Sequence, residues 1–186
     1  PPHTHVVLTF QQGGDLRFAD PRTFGEMFVA IADELGKVKE LQHLAIDPLD
    51  HVFTWQAFGA ALAQRAAKMK QLLMDQKFVS GLGNIYSDEV LFAAGLRYDR
   101  PSDTLSSQEV RRLYRAMQEV LQEAIRFRGT TLEDEAYLDL FGKPGEFQNE
   151  LKVYGRAGLP CRRCRTPIQA VKISGRNAYF CPQCQS

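Results

Sequence analysis

Apolar and polar residues near the N-terminal end of the chain follow a pattern typical of β-strands. Two short apolar runs, residues 5–10 and 16–19, flank Gly13-Gly14-Asp15 and predict a hairpin. Residues 26–32 are compatible with one more strand, and a charged, irregular stretch follows as far as residue 50. We therefore expect residues 1–32 to form an incomplete β-sandwich-like piece and residues 33–53 to form a linker.

Apolar residues recur at helical spacing in the middle of the chain. Thr54 is placed to cap a helix, and the segment that begins at Asn84 has a helical pattern that stops at Gly95. Ser106 or Ser107 caps the longest predicted helix, which runs to about residue 127. A Gly- and Pro-containing segment, residues 129–150, predicts a long loop. These features predict a helical domain over residues 54–150.

The last part of the chain, residues 151–186, has the pattern of a small β-hairpin. Residues 168–173 predict one strand, residues 174–177 a turn, and residues 178–180 the returning strand, which places Arg176 at the tip. The fold class predicted for the whole chain is therefore α+β.

All four cysteines lie in this last segment. Cys161 and Cys164 form one C-x2-C pair, Cys181 and Cys184 form another, and 16 residues separate the pairs. Two such pairs predict a closed tetrahedral zinc site with a structural role, because four protein ligands leave no open position for catalysis. Two disulfides, in a secreted protein, or a redox-active dithiol are the alternatives.

Charge is distributed unevenly along the chain. Residues 152–186 carry seven Lys or Arg and no acidic residue, whereas the other residues carry 16 basic and 22 acidic side chains. A basic end on an acidic body predicts a local contact with a polyanion, and an ordinary solvated tail is the alternative. No apolar run approaches the roughly 18 residues of a membrane helix and no signal peptide is visible, so we expect a cytoplasmic protein without a membrane contact.

Six stretches of the chain form a recognisable set of motifs. They are Asp20-Pro21-Arg22-Thr23-Phe24-Gly25, Leu73-Met74-Asp75-Gln76, residues 81–89, Gly142-Lys143-Pro144-Gly145, Val153-Tyr154-Gly155-Arg156 and the four-cysteine hairpin. In order and spacing over the whole chain, this set resembles the motifs of the bacterial formamidopyrimidine-DNA glycosylases, the Fpg or MutM group of the Fpg/Nei superfamily.

The resemblance implies a helix–two-turn–helix DNA-binding domain around residues 81–95, followed by a zinc finger. Members of this family excise oxidised purines such as 8-oxoguanine and formamidopyrimidines from double-stranded DNA and then cut the strand by β- and δ-elimination. By the same resemblance we expect one structural zinc ion, a duplex with a damaged base as the partner, and a monomeric protein.

The resemblance also implies roles for individual residues. Phe24 corresponds to the wedge that fills the space left by an extruded base, and Arg22 to the residue that pairs with the orphaned cytosine. Arg176 corresponds to the zinc-finger arginine that contacts phosphate and takes part in δ-elimination, which is the one catalytic assignment. The 129–145 loop corresponds to the segment that covers the extruded purine. The remaining DNA contacts implied are His3, Arg65, Lys70 and Asn84.

Each of these residues also has a structural interpretation from the sequence alone. Arg22 and Phe24 could be a paired arginine and a core aromatic residue, Asn84 a helix cap, and the other basic residues part of a solvated surface. Asp88 and Glu89 are adjacent on a predicted helix and therefore point in different directions, so we expect structural rather than catalytic roles for them.

The chain departs from the family at the catalytic residues. The family's nucleophile is an N-terminal proline followed by glutamate, whereas Pro1 is followed by Pro2 and aligns just before the Asp-Pro-Arg motif. A lysine used in elimination is absent as well. The first hypothesis is that this chain is the DNA-grasping portion of a glycosylase and is inactive alone. A binding-only DNA protein and a zinc protein that binds other proteins are the alternatives.

Overall fold

The computed structural model describes residues 2–50, 52–133 and 137–186. Their contacts divide the chain into two compact units, residues 1–42 and residues 43–186. Each unit is described separately below.

The first unit is built on the predicted hairpin. Strand β1 (Thr4–Thr9) pairs antiparallel with β2 (Asp15–Ala19), and Thr9 lies opposite Asp15 next to the turn. Gly13 and Gly14 both have positive φ, at 95° and 90°, a conformation that is unfavourable for residues other than glycine because of their Cβ atom. The two-glycine turn therefore closes the hairpin without strain.

The expectation of a further strand at residues 26–32 is wrong. Residues 25–31 are exposed and form no strand, because a strand needs a hydrogen-bonding neighbour and the described residues offer none to this segment. The irregular stretch predicted after residue 33 instead contains a 3₁₀ turn (Ala32–Lys37) and the short helix α1 (Lys39–Gln42). Asp33 and Glu34 at the start and Lys37 at the end complement the dipole of the 3₁₀ turn, so its charges do not oppose helical structure.

The second unit contains the three predicted helices, which are α2 (Trp55–Ala63), α4 (Asn84–Ala94) and α5 (Ser107–Arg126). A short helix that was not predicted, α3 (Met69–Leu73), lies between α2 and α4 along the chain. The side-chain oxygen of Thr54 accepts a hydrogen bond from the Ala57 N–H, and Gly95 ends α4 with a φ of 72°, as the sequence predicts. Helix α4 is the central element, because nearly every residue after its first turn is buried.

Helix α5 packs against both α2 and α4 through the apolar face that its periodicity predicts. The buried residues on this face are Val110, Leu113, Ala116, Met117, Val120, Leu121 and Ala124. None of the helices in the described ranges is long and apolar enough to cross a membrane.

The C-terminal hairpin comprises β3 (Gln169–Ile173) and β4 (Arg176–Phe180). Ile173 lies opposite Arg176, and the two residues between them, Ser174 and Gly175, have φ values of 48° and 80°. Positive φ at both central residues defines a tight turn whose twist matches that of the strands. Arg176 therefore stands next to the hairpin tip, as predicted, but the turn is shorter than the predicted residues 174–177, because Arg176 and Asn177 already pair with β3.

The segment between α5 and the hairpin is mostly loop in its described part, with a 3₁₀ turn at Phe147–Glu150. Gly145 is the residue that fixes its path, since a Cβ atom there would lie 2.2 Å from the carbonyl oxygen of Gly129. The Gly145 N–H donates to Oγ1 of Thr131 at 2.8 Å. The two ends of the loop are thus held side by side.

The start of α5 is stabilised by hydrogen bonds between Ser106 and Glu109. Ser106 Oγ accepts from the Glu109 N–H, and the Ser106 N–H donates to Glu109 Oε2 at 2.8 Å, which together form a capping box. We expect Ser106→Ala to lower the free energy of urea-induced unfolding by about 1 kcal/mol. Ser107→Ala is the matched control, because Ser107 lies inside the helix, and equal losses for the two variants would contradict the assignment.

Candidate metal centre and the basic face around it

The four cysteine sulfurs lie within 4.8 Å of one another. Sγ of Cys161 is 3.9 Å from that of Cys184, and Sγ of Cys164 is 3.4 Å from that of Cys181. A disulfide requires about 2.05 Å and all four cysteines are free, whereas thiolates about 2.3 Å from a shared zinc ion are roughly 3.8 Å apart. The donor set therefore fits one structural zinc ion and excludes the disulfide alternative.

Backbone hydrogen bonds shape the first cysteine turn for this purpose. The Arg163 N–H points at Cys161 Sγ at 3.4 Å, and the Arg165 N–H donates to the Cys161 carbonyl at 3.0 Å. In the second turn the Cys181 N–H donates to the side-chain oxygen of Gln185 at 2.8 Å. Each pair of cysteines is thus presented by a compact, internally bonded turn.

The zinc-binding segment packs directly against helix α4. Phe92 of α4 joins Val153, Ile168 and two of the cysteines in a small apolar cluster. The Arg163 guanidinium lies 4.2 Å from the centre of the Phe92 ring and donates to the Phe92 carbonyl at 2.9 Å. An arginine within the first zinc turn therefore satisfies a carbonyl at the end of α4.

Glu89 fastens the chain that leads into the zinc finger. Its carboxylate is buried and accepts three backbone N–H bonds, from Lys152 at 2.8 Å, Val153 at 2.9 Å and Tyr154 at 2.8 Å. Both oxygens of the Glu89 carboxylate are therefore occupied by backbone N–H groups inside the protein, which supports the structural role predicted for Glu89.

Asp88 makes the corresponding bond to the hairpin itself. Its Oδ2 accepts from the Tyr179 N–H of β4 at 3.0 Å, and its Oδ1 lies 2.7 Å from Nζ of Lys70 on α3. Burial raises the pKa of Asp88 to about 6, and the neighbouring Lys70 opposes that rise. Three elements, α3, α4 and β4, therefore meet at one carboxylate.

The position of Lys70 does not suit the direct DNA contact implied for it. Lys70 is 2% exposed, and its Nζ donates to the Asn84 carbonyl, Ser87 Oγ and Asp88 Oδ1 at 2.7–2.9 Å. An ammonium has three N–H donors, so all of them are used inside the protein. Because Lys70 is buried, its alternative interpretation as part of a solvated surface is also wrong. The sequence shows only a lysine on a short amphipathic helix and does not reveal the buried carboxylate 18 residues away.

Arg176 lines a cleft of about 280 Å³ together with residues of α3 and the hairpin turn. The side chain of Arg176 is exposed, and Gln71 of α3 donates to Ser174 Oγ at 3.3 Å across the cleft. The pKa of Lys70 is lowered from its usual value, mainly because the ammonium is buried. The nearby positive charge of Arg176 lowers this pKa further, whereas the ion pair with Asp88 opposes the shift. The cleft thus presents an exposed guanidinium beside a buried ammonium.

Asn84 is the first residue of α4 and Gly83 is its cap, so the interpretation of Asn84 as the cap itself is wrong. Its Nδ2 lies 3.5 Å from the Tyr154 hydroxyl, and its Oδ1 is buried without a hydrogen-bond partner among the described residues. Gln76 shapes the preceding loop through bonds to the Gly81 N–H and the Leu82 carbonyl. Sequence reasoning missed the roles of Gln76 and Tyr154, although both lie within matched motifs.

The Asp-Pro-Arg-Thr-Phe-Gly motif forms a tight loop after β2. Oδ1 of Asp20 accepts from the Arg22 N–H at 3.0 Å and its Oδ2 from the Gly25 N–H at 2.6 Å. These backbone bonds, led by the bond from Gly25, hold the pKa of Asp20 below its usual value. Phe24 is 82% exposed with the Arg22 guanidinium 5.7 Å from its ring centre. The interpretation of Phe24 as a core residue is therefore wrong.

The two remaining predicted contacts are both exposed. His3 has a positive φ of 61° and its carbonyl accepts from the Asp20 N–H at 3.0 Å, so it belongs to the same local structure as the loop. Arg65 follows α2, and its carbonyl accepts a hydrogen bond from the Ser102 hydroxyl. Their roles in binding stay predictions.

The loop between α5 and the zinc finger carries an exposed apolar tip. Leu140 and Phe141 are 77% and 81% exposed, and Asp139 Oδ1 accepts from the N–H groups of Phe141 and Lys143 at 2.9 and 2.8 Å. Residues 134–136 of the predicted covering loop lie outside the described residues. The described part is a carboxylate-capped turn that presents two large apolar side chains.

The fold and the site together define a helical domain that shares one buried helix with a four-cysteine zinc finger. Residues 44–136 match the formamidopyrimidine-DNA glycosylase H2TH domain, and residues 158–186 match the zinc finger found in FPG and IleRS. The chain belongs to the formamidopyrimidine-DNA glycosylase (Fpg, MutM) family, as the sequence motifs predict.

Individual relatives agree with this assignment. The formamidopyrimidine-DNA glycosylase of Pelotomaculum thermopropionicum is 43% identical over 98% of this chain and 66% of its own length. The crystal structure of MutM (Fpg) from Thermus thermophilus matches with a TM-score of 0.91 and 43% identity, covering 100% of this chain and 69% of that one. Lactococcus lactis Fpg in complex with DNA containing an abasic site matches with a TM-score of 0.90 and 33% identity, over 100% and 67% of the two chains. This chain thus spans about two thirds of the length of its relatives.

Removal of the zinc ion tests the metal assignment. The apolar cluster of the finger is small, so we expect a chelator to release one zinc per chain and to abolish the hydrogen-exchange protection of the amides in residues 169–180. The amides of α5 belong to the larger core and should stay protected, and added zinc should restore the hairpin. A zinc-free chain with unchanged protection of the hairpin would contradict a structural metal.

Proposed function

We propose that this chain is the DNA-binding portion of a DNA glycosylase and abasic-site lyase that removes oxidised purines and cleaves the strand at the resulting abasic site. Its substrates would be 8-oxoguanine and formamidopyrimidines in double-stranded DNA, encountered in the cytoplasm on nucleoid DNA. The names of its relatives and the bound DNA of the Lactococcus lactis protein support this proposal.

The exposed Arg176 at the tip of the zinc-supported hairpin is the observation that carries the proposal. An arginine offers a rigid fork of donors that suits phosphate oxygens. The first turn of α4 adds further donors, because the N–H groups at a helix start have no partners within the helix. Residues 152–186 carry no acidic side chain that would repel a phosphate backbone.

The loop after β2 has the properties required to stabilise an extruded base. A damaged base inside a duplex must leave the stack to reach a pocket, and an apolar side chain can occupy the space that it leaves. Phe24 is exposed although a free aromatic ring is unfavourable in water, and Asp20 holds its loop in a fixed shape. We propose that Phe24 enters the stack and that Arg22 pairs with the orphaned cytosine.

The turn around Leu140 and Phe141 is suited to cover the extruded base. Its stem is anchored beside the start of α4, since the Tyr86 hydroxyl lies 3.0 Å from Thr130 Oγ1. Exposed apolar side chains at this position would exclude water from a base that lies against the helix.

The chemistry proposed for the chain itself is limited to phosphate stabilisation. In δ-elimination a phosphate leaves from the sugar fragment, and Arg176 would stabilise the negative charge that develops on it. The 186 residues contain no Pro-Glu pair that could act as nucleophile and acid. We therefore infer that the chain binds damaged DNA without excising the base, and this missing pair is the observation that favours a binding-only protein as the alternative.

The salt dependence of duplex binding tests the role of Arg176. We expect Arg176→Ala to weaken binding of any duplex and to lower the slope of log affinity against log salt by about one, because one phosphate contact is lost. Filter binding at several salt concentrations measures both quantities. Arg115→Ala, which removes an exposed arginine from α5, is the matched control, and equal effects of the two variants would refute a specific contact.

Covalent trapping distinguishes an active glycosylase from a chain that only binds DNA. Incubation of this chain with an 8-oxoguanine duplex and borohydride should give no cross-linked adduct, because a Schiff base requires an activated amine. A DNA glycosylase of the same family with an N-terminal Pro-Glu serves as the positive control. An adduct with this chain would show that one of its own amines replaces the missing nucleophile.

A further inference from the structure

The buried pair between Lys70 and Asp88 is not explained by stability alone. Both side chains are almost completely buried, with 3% and 1% of their surface exposed. Burying two charges costs solvation energy that their attraction often fails to offset, and apolar residues of similar size commonly stabilise a protein as well. We therefore expect this pair to have a role beyond packing.

The carboxylate of Asp88 joins the hairpin to the helical domain. The hairpin has only two strands, so the outer edge of β4 has no neighbouring strand within its own sheet. Asp88 Oδ2 accepts from the Tyr179 N–H on β4, while Oδ1 accepts from Lys70. Tyr179 is three residues from Arg176, or roughly 10 Å along an extended strand. The bond therefore fixes β4 close to its functional end.

We infer that Asp88 is a positioning residue that acts through Arg176, in that it fastens β4 to α4 so that the Arg176 guanidinium is held for its phosphate contact. Lys70 takes part by holding Asp88 and the Asn84 carbonyl, and it does not contact DNA itself. The inference rests on the proposed function, because Arg176 must contact DNA for its position to matter.

Asp88→Asn tests this role because the two donors then compete for one acceptor. The amide has a single oxygen, and the buried ammonium of Lys70 binds it more strongly than the neutral Tyr179 N–H does. The Tyr179 N–H is left facing the amide NH₂, so β4 loses its bond to α4. We expect duplex binding to weaken about tenfold, with a decrease of about one in the salt slope.

The sign of this effect distinguishes positioning from simple electrostatics. Asp88→Asn removes a negative charge near the proposed phosphate contact, so an electrostatic effect alone would tighten binding. Asp99→Asn removes the same charge from a partly exposed pair with Arg97 and is the matched control, for which we expect no loss of affinity. Unchanged or tighter binding by Asp88→Asn would overturn the inference.

A double-mutant cycle tests whether Asp88 acts through Arg176. The variant Asp88→Asn/Arg176→Ala should bind no more weakly than Arg176→Ala, because the contact is already absent. Losses that add would show an independent role and would overturn the inference. One zinc per chain in each variant verifies that the finger is intact.

The variant Lys70→Met/Asp88→Asn should recover the duplex affinity that Asp88→Asn loses. It also tests the inference if Asp88→Asn alone does not fold. Without the ammonium, the single amide oxygen is free for the Tyr179 N–H, and no unpaired charge is buried. We expect affinity within about threefold of the wild type. A zinc-loaded double variant that binds as weakly as Arg176→Ala would instead show that Lys70 contacts DNA. If the wild-type chain itself shows no salt-dependent binding, the proposed function fails, which is distinct from failure of the positioning role.

Discussion

Two neighbouring carboxylates on one buried helix attach the zinc finger to the helical domain. Glu89 accepts the backbone N–H groups of residues 152–154, and Asp88 accepts the N–H of Tyr179. All four bonds end on carboxylates that are almost completely buried, so a missing partner would leave a costly unsatisfied group. The zinc finger is consequently part of the helical domain and is not a separate module on a flexible tether.

The zinc ion and these carboxylates act on different parts of the zinc finger. The metal links the two cysteine turns at the base, where the hairpin has little apolar surface of its own. Asp88 fixes the hairpin to α4, Glu89 fixes the segment that leads into the finger, and Arg163 adds a further attachment near the C-terminal end of that helix. The tip with Arg176 is therefore supported from its base and along one edge, which is what a fixed phosphate contact requires.

The sequence predicted those structural features that are determined by residues close together in the chain. The cysteine spacing predicted the metal centre, Thr54 and Gly95 marked helix ends, and the turn predicted at residues 174–177 placed Arg176 near the hairpin tip. Each of these depends on residues within a few positions of one another. The strand expected at residues 26–32 failed because a strand requires a partner, which its own sequence does not supply.

The interior of the site could not be predicted in the same way. Lys70 and Asp88 are 18 residues apart, and Asp88 and Tyr179 are 91 residues apart, so nothing in either local pattern indicates the contact. The family resemblance marked Lys70 as part of the site but assigned it to the DNA-facing surface. Only the packing of α3 against α4 shows that its charge is used inside the protein.

We propose that Arg176 and the first turn of α4 contact DNA phosphates together. Nuclear magnetic resonance detects this directly in the zinc-loaded chain, through the backbone amides and the arginine Nε–H signals during titration with an abasic-site duplex. We expect the Arg176 side-chain signal and the amides of residues 83–86 to shift together, while Arg115 does not respond. Shifts confined to other exposed basic residues, with these signals unchanged, would contradict this proposal.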